Sequence, residues 1–210
     1  MTVTAKICGL RDEATLDAAV AGGASHVGFV FFPRSPRNVA PDRAAALVRR
    51  LPDRVTAVAV VVDPDAALLA EVARAGIRAV QLHGAETPAD AAAARAAGHE
   101  VWKAIAVRTA TDLAAARAYR GAVDRILYDA KTPEGALPGG MGVRFDWRLL
   151  DGFAHPLPWA LSGGLDAGNV REAVGITGAR LVDASSGVES APGVKDVDKI
   201  GAFLQAIGSL

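Results

Sequence analysis

The chain of 210 residues contains little cysteine, no net charge and no long apolar segment. Its single cysteine, Cys8, excludes an internal disulfide, so this residue is either a small core residue or a reactive thiol. Because 23 basic residues balance 23 acidic ones, the charge gives no reason to expect a nucleic acid, a membrane surface or an acidic partner. The longest apolar run, Ala57–Val62, is too short to span a bilayer. With no signal peptide recognisable, we expect a cytoplasmic protein with a reduced thiol.

The motifs that bind common cofactors are missing as well. The sequence has no paired cysteines, no H-x-x-x-H motif and no dense carboxylate cluster, so we expect no metal site. No G-x-G-x-x-G motif follows the first apolar run, where a dinucleotide-binding fold would carry it. We therefore expect a protein that needs no cofactor.

Short β-branched runs alternate with longer, alanine-rich amphipathic runs along the whole chain. The apolar runs predict eight strands, over Val3–Cys8, His26–Phe32, Thr56–Val62, Ala79–Leu82, Val101–Val107, Arg125–Tyr128, Trp159–Leu161 and Leu181–Ala184. The amphipathic runs predict helices over Arg11–Ala21, Pro41–Leu51, Asp65–Ala75, Pro88–Ala97, Thr111–Tyr119, Phe145–Leu150, Asn169–Val174 and Asp196–Ile207. Eight such units favour an α/β fold, a single (β/α)8 TIM barrel of residues 1–210, over an open doubly wound sheet.

Two reactive side chains stand at predicted strand ends, where barrels of this kind place their active sites. Cys8 ends the first strand, and Asp129 follows the sixth. A thiolate with a lowered pKa is a competent base and a partly desolvated carboxyl group is a competent acid, so the pair suits a proton-shuffling isomerisation. A lysine forming a Schiff base is the alternative, and Lys103 and Lys131 keep it open.

Two loops of glycine and serine follow the seventh and eighth strands, at Ser162-Gly163-Gly164 and Ser185-Ser186-Gly187. Barrels often bind phosphate there, although glycines also simply form tight turns. Arg37 could clamp a carboxylate with two hydrogen bonds, or it could be a solvated loop residue. His83 could line the pocket, act as an acid or base, or be structural.

Six groups of residues, in order, resemble one known family over nearly the whole chain. They are Lys6-Ile7-Cys8-Gly9; Gly28-Phe29-Val30-Phe31 with Ser35-Pro36-Arg37; Val80-Gln81-Leu82-His83-Gly84; Gly139-Gly140-Met141-Gly142 with Phe145-Asp146-Trp147; Leu161-Ser162-Gly163-Gly164-Leu165 with Asn169-Val170; and Val182-Asp183-Ala184-Ser185-Ser186-Gly187-Val188-Glu189 with Gly193-Val194-Lys195-Asp196. The family is phosphoribosylanthranilate isomerase, of tryptophan biosynthesis. Each motif is weak alone, and their common order and spacing are highly specific.

The resemblance implies an Amadori rearrangement of a small phosphosugar, N-(5-phosphoribosyl)anthranilate, without cofactor or metal, by a monomer or homodimer. It implies that Cys8 is the general base at the ribose C2 and that Asp129 is the general acid at the ring oxygen. Arg37 is expected to bind the anthranilate carboxylate, and Asp183 a ribose hydroxyl or the amine. The other residues expected at the sugar and phosphate are Gln81, His83, Ser162, Gly163, Gly164, Ser185, Ser186 and Gly187.

Two positions depart from the family pattern. Met141 lies between glycines where the family more often has a small hydroxyl residue, and Tyr128 precedes the acid where a smaller aliphatic residue is usual.

A related barrel that also isomerises a histidine-pathway aminosugar is a rival, disfavoured by Cys8 at a position where such barrels carry aspartate. A sugar-phosphate sensor is another, and it would not need both Cys8 and Asp129. The loop after the first strand and the loop Gly135–Gly142 are the expected mobile elements.

Overall fold

Eight parallel strands close into a barrel in the computed structural model, which describes residues 2–132, 139 and 142–210. The strands are β1 Thr4–Cys8, β2 His26–Phe31, β3 Thr56–Val61, β4 Ala79–Leu82, β5 Glu100–Val107, β6 Arg125–Ala130, β7 Trp159–Leu161 and β8 Leu181–Ala184. Each strand pairs with the next in sequence, and β1 pairs with β8, where Ala5 lies opposite Val182. The predicted fold class is confirmed.

Apolar side chains cover both faces of this barrel, as expected for parallel strands enclosed by helices. Those that point outward pack under the helices, and those that point inward fill the barrel. One inner cluster consists of Val58, Ala79, Trp102, Ala104, Leu127, Ala160 and Leu181. A second, smaller one consists of Cys8, Val30 and Val60. Since the interior is packed rather than open, a ligand can reach only the two ends of the barrel.

The helices connect the strands on the outside of the barrel. They are α1 Glu13–Ala21, α2 Pro41–Val48, α3 Ala66–Arg74, α4 Pro88–Ala96, α5 Ala110–Ala114, α6 Val170–Thr177 and α7 Val197–Gly208. Capping side chains start several of them: Asp12, Asp65 and Asp196 each accept a hydrogen bond from the backbone N–H three residues on. No helix in the described part of the chain is long and apolar enough to cross a membrane.

Two predicted helices are replaced by 3-10 helix, wholly or in part. The fifth is α-helical only over Ala110–Ala114 and continues as 3-10 helix over Ala115–Tyr119. Between β6 and β7 the described residues form only a 3-10 helix, Trp147–Leu150, whose first turn Asp146 caps by accepting from the Arg148 backbone N–H. The helical segment predicted near Phe145–Leu150 is present, as a 3-10 helix of four residues. Met141 and most of the loop Gly135–Gly142, predicted to be mobile, lie outside the described residues.

A short antiparallel hairpin after β8 was not predicted. Its strands are β9 Glu189–Ala191 and β10 Val194–Lys195, and its turn contains Gly193. The Arg11 guanidinium donates to the Gly193 carbonyl, which ties the turn to the loop after β1. The hairpin thereby places Glu189 and Lys195 beside the end of the barrel at which β1 and β8 finish.

Candidate active site

A cavity of about 780 Å³ opens at the C-terminal ends of the strands. Its walls include nine of the twelve residues predicted for the site: Cys8, Arg37, Gln81, His83, Asp129, Ser162, Asp183, Ser185 and Ser186. Gly163 and Gly164 line an adjoining recess together with Ser162, Ser185 and Ser186. Gly187 is not among the residues lining either space, and a Cβ placed on it would collide with the Leu165 backbone. Its phosphate contact stays a prediction.

The Cys8 thiol lies at the end of β1 and is 6% exposed. The neighbouring strand makes room for it, because a Cβ added to Gly28 would lie only 2.9 Å from Cys8 Sγ. Burial raises the pKa of Cys8, and the charge of Asp183 acts in the same direction, while Lys6 and Lys195 lower it. Since burial prevails, the free chain carries a protonated thiol at neutral pH.

Beneath the thiol, a buried lysine joins three strands. Lys6 Nζ donates to Asp183 Oδ1 on β8 and to Gln81 Oε1 on β4, each at 3.0 Å. Lys6 is 0% exposed and Asp183 is 4% exposed, so this ion pair is shielded from water. Burial alone would lower the pKa of Lys6, but the charge of Asp183 and its hydrogen bond act against burial, and the pKa is raised. Lys6 is therefore a permanent cation inside the barrel.

The carboxyl group of Asp129 faces the cavity from the end of β6 and is held on both oxygens. Oδ1 accepts from the Ala130 backbone N–H at 2.9 Å, and Oδ2 lies 3.2 Å from His83 Nε2. The other ring nitrogen, Nδ1, lies 2.8 Å from Gln81 Nε2. His83 is thus a partner of Asp129 as well as a wall of the cavity.

Arg37 is buried at 7% exposure, which rules out a solvated loop arginine. Its Nε and one terminal nitrogen donate to the two carboxylate oxygens of Glu189, both at 2.7 Å. Lys195 donates to the same carboxylate at 2.8 Å. Burial opposes the charge of Glu189, but its two cationic neighbours hold the pKa of this carboxyl below its usual value. The hairpin therefore orients the guanidinium toward the cavity.

Neither alternative nucleophile lines this cavity. Lys103 Nζ is buried in an ion pair with Glu86 at 2.8 Å, and Lys131 is partly exposed beside Asp112. Among residues 2–132, 139 and 142–210, no cluster of three His, Cys, Asp or Glu side chains is placed to hold a metal ion. The chemistry of the cavity is that of a thiol, carboxyl groups, an imidazole and buried cations.

Sequence reasoning missed three residues of the site, Lys6, Glu189 and Lys195. One signal could have found Lys6. Residues two apart on a strand share a face, so a lysine two positions before Cys8 must enter the barrel beside it. Glu189 and Lys195 belong to a hairpin too short to show a strand pattern; both stand in the last motif of the family resemblance, which gave them no role.

Comparisons with known proteins agree on one family. Residues 5–206 match the family model described as N-(5'phosphoribosyl)anthranilate (PRA) isomerase. A protein of Zymomonas mobilis subsp. pomaceae named N-(5'-phosphoribosyl)anthranilate isomerase is 57% identical over 209 residues, which cover 99% of both chains.

Two solved structures are similar over the full length of both chains. One is described as mutually generated monomers of the dimeric phosphoribosylanthranilate isomerase of Thermotoga maritima, with a TM-score of 0.86 and 36% identity. The other is a phosphoribosyl anthranilate isomerase in complex with reduced 1-(o-carboxyphenylamino)-1-deoxyribulose 5-phosphate, with a TM-score of 0.87 and 34% identity.

Proposed function

Because the chain belongs to the N-(5'-phosphoribosyl)anthranilate isomerase family, we propose that Cys8 and Asp129 catalyse its reaction as general base and general acid. The enzyme isomerises N-(5'-phosphoribosyl)anthranilate in tryptophan biosynthesis. One observation carries the assignment of residues: the thiol at the end of β1 and the carboxyl group at the end of β6 open onto the same cavity. This is the arrangement that proton transfer at two points of one small substrate requires.

The reaction needs two proton transfers that the pair can supply. As the furanose opens, Asp129 gives its proton to the ring oxygen, the C1–O bond breaks, and the nitrogen lone pair forms a C=N bond to C1. The Cys8 thiolate then removes the C2 proton, the C2–H electrons form a C1=C2 bond, and the C=N electrons return to nitrogen. The resulting enolamine becomes the ketone when the C2 hydroxyl loses a proton and C1 gains one. No redox partner is involved.

The raised pKa of Cys8 sets a condition on this mechanism. After the substrate binds, the thiol must give its proton to solvent before it can take the proton from C2. Opening of the ring places a cationic imine one bond from C2, and a nearby positive charge favours the thiolate. Together with Lys6 and Lys195, this charge lowers the cost of forming the base at the moment it is needed.

Arg37, Asp183 and the two loops of glycine and serine are proposed to hold the substrate. Arg37, which is held by Glu189 and lines the cavity, is proposed for the anthranilate carboxylate, because a guanidinium pairs well with that group. Asp183 Oδ1 accepts from Lys6, and Oδ2 accepts from Ser162 Oγ at 3.4 Å; Oδ2 has a second lone pair with which to accept from a ribose hydroxyl or the amine. The loops Ser162–Gly164 and Ser185–Gly187 are proposed for the phosphate, because small residues let an anion approach the backbone N–H groups closely.

Turnover followed by fluorescence tests the assignment in wild type, Cys8→Ala and Asp129→Asn. We expect both variants to lose activity by at least about 100-fold, as typical of removing a general acid or base, while still binding the reduced product analogue. Asp17→Asn, the same chemical change at an exposed position of α1, is the matched control and should keep wild-type activity. Wild-type rates in both variants would refute the mechanism. Binding without turnover in the wild type would instead support the sensor alternative.

A further inference from the structure

We propose that Lys6 and Gln81 fix the single ring proton of His83 on Nε2, so that His83 donates a hydrogen bond to the carboxyl group of Asp129. Lys6 and Gln81 are then positioning residues for the acid. The proposal rests on the proposed function of Asp129.

Three contacts form an unbroken chain across the base of the cavity. Lys6 Nζ lies 3.0 Å from Gln81 Oε1, Gln81 Nε2 lies 2.8 Å from His83 Nδ1, and His83 Nε2 lies 3.2 Å from Asp129 Oδ2. Lys6 is 0% and Gln81 is 1% exposed, so water does not compete for the first contact. These three hydrogen bonds therefore connect β1, the strand that carries the proposed base, to the proposed acid.

The direction of each hydrogen bond follows from the donors and acceptors available. A lysine ammonium can only donate, so the Gln81 side chain must turn its oxygen toward Lys6. The amide nitrogen, which can only donate, is then left facing His83 Nδ1, and this ring nitrogen must accept. A neutral imidazole that accepts at Nδ1 carries its proton at Nε2, the nitrogen that faces Asp129.

Lys6 cannot become an acceptor, so the order of donors and acceptors in this row of hydrogen bonds is fixed. Asp183 Oδ1 accepts from Lys6 Nζ at 3.0 Å, and Asp183 is itself buried, so loss of the lysine proton would leave an uncompensated buried carboxylate. Burial would lower the pKa of Lys6, but the charge of Asp183 acts against burial, and the pKa is raised instead. Lys6 keeps its charge, and Gln81 keeps its orientation.

The tautomer matters because the two forms act on the acid in opposite ways. With the proton at Nε2, His83 stabilises the carboxylate that remains when Asp129 gives its proton to substrate. With the proton at Nδ1, the bare Nε2 would accept the proton of Asp129 and hold it away from the cavity. Gly139 lies against this contact: a Cβ there would be 2.9 Å from His83 Nε2 and 3.1 Å from Asp129 Oδ2. Backbone therefore covers the His83–Asp129 contact on that side.

Nitrogen-15 NMR of histidine-labelled enzyme measures the tautomer without turnover. We expect the Nε2–H form for His83 in the wild type. Gln81→Glu, nearly identical in shape, places an acceptor next to Nδ1 and should shift His83 to the Nδ1–H or doubly protonated form. Gln205→Glu, the same change at an exposed position of α7, should leave the signal unchanged. A wild-type Nδ1–H form, or an unchanged tautomer in Gln81→Glu, would overturn the proposal.

Kinetics of the same variants provide a second test. We expect Gln81→Glu to lower kcat by about 10- to 100-fold, because this is the usual effect of losing one hydrogen bond to a charged group. KM should change less than about threefold. His83→Leu should lose as much, and His83→Gln, whose amide can donate from nearly the position of Nε2, should recover most of kcat. A loss confined to KM, or equal activity in His83→Leu and His83→Gln, would refute the role in positioning the acid.

The two levels of the proposal fail in different ways. Full activity in Asp129→Asn would refute the acid and with it the purpose of the tautomer. A switched tautomer in Gln81→Glu with unchanged kcat would refute the positioning role alone.

Discussion

Replacement of the buried cation Lys6 tests how much its ion pair with Asp183 contributes to the stability of the fold. In Lys6→Met, the Asp183 carboxylate loses its ionic partner and Gln81 Oε1 loses its donor, while both side chains, 4% and 1% exposed, stay buried in the wall of the cavity. Loss of one member of a buried ion pair costs about 3–5 kcal/mol, because the other charge stays buried without compensation. We therefore expect the free energy of unfolding of Lys6→Met to fall by about that amount.

Urea unfolding followed by far-UV circular dichroism measures this loss. The double variant Lys6→Met/Asp183→Leu removes both charges, and replacement of a whole buried pair by apolar residues is often close to neutral. We expect the double variant to be at least as stable as Lys6→Met. The matched control is Arg50→Met, which opens the exposed pair with Asp17 and should cost no more than about 1 kcal/mol. Additive losses in the double variant, or a loss in Lys6→Met no larger than in the control, would refute the reasoning.

Three further predictions concern the Cys8 thiol and the stability of the fold at low pH. Gly28→Ala should displace Cys8 Sγ, since the added Cβ would lie 2.9 Å from it, and we expect kcat to drop at least about tenfold while folding, checked by circular dichroism, is kept. Burial raises the pKa of Cys8, so kcat/KM should still be rising with pH beyond about 8.5, the usual thiol pKa; a plateau below that value would contradict the assigned base. Burial lowers the pKa of His155 to about 4, below its unfolded value of about 6.5. Because the unfolded state therefore binds the proton first, the free energy of unfolding should decrease as pH falls from about 6.5 toward 4. His155→Phe, which keeps the stacking on Trp159, should lose less stability over this range in urea titrations; identical losses would argue against the buried histidine as the cause.

Local patterns were sufficient for the eight barrel strands. Thr56–Val61 lies within one residue of its prediction, because an apolar run covered on both faces needs no information from elsewhere in the chain. The hairpin at Glu189–Lys195 was missed since its strands are two and three residues long and mostly polar. The sequence predicted a helical segment near Trp147–Leu150 but not its type, because the apolar spacing of so short a segment suits both the α- and the 3-10 form.

The sequence by itself determined that Cys8 and Asp129 would meet at one end of a barrel, because the carboxyl ends of parallel strands lie on the same rim. Only the tertiary structure decided what surrounds them. Lys6 is separated by 177 residues from Asp183, and Arg37 by 152 from Glu189, so no local pattern could pair them. These partners set the charge beneath the thiol, the orientation of the guanidinium and the hydrogen-bond direction at the acid, since charges and donors act through space rather than along the chain.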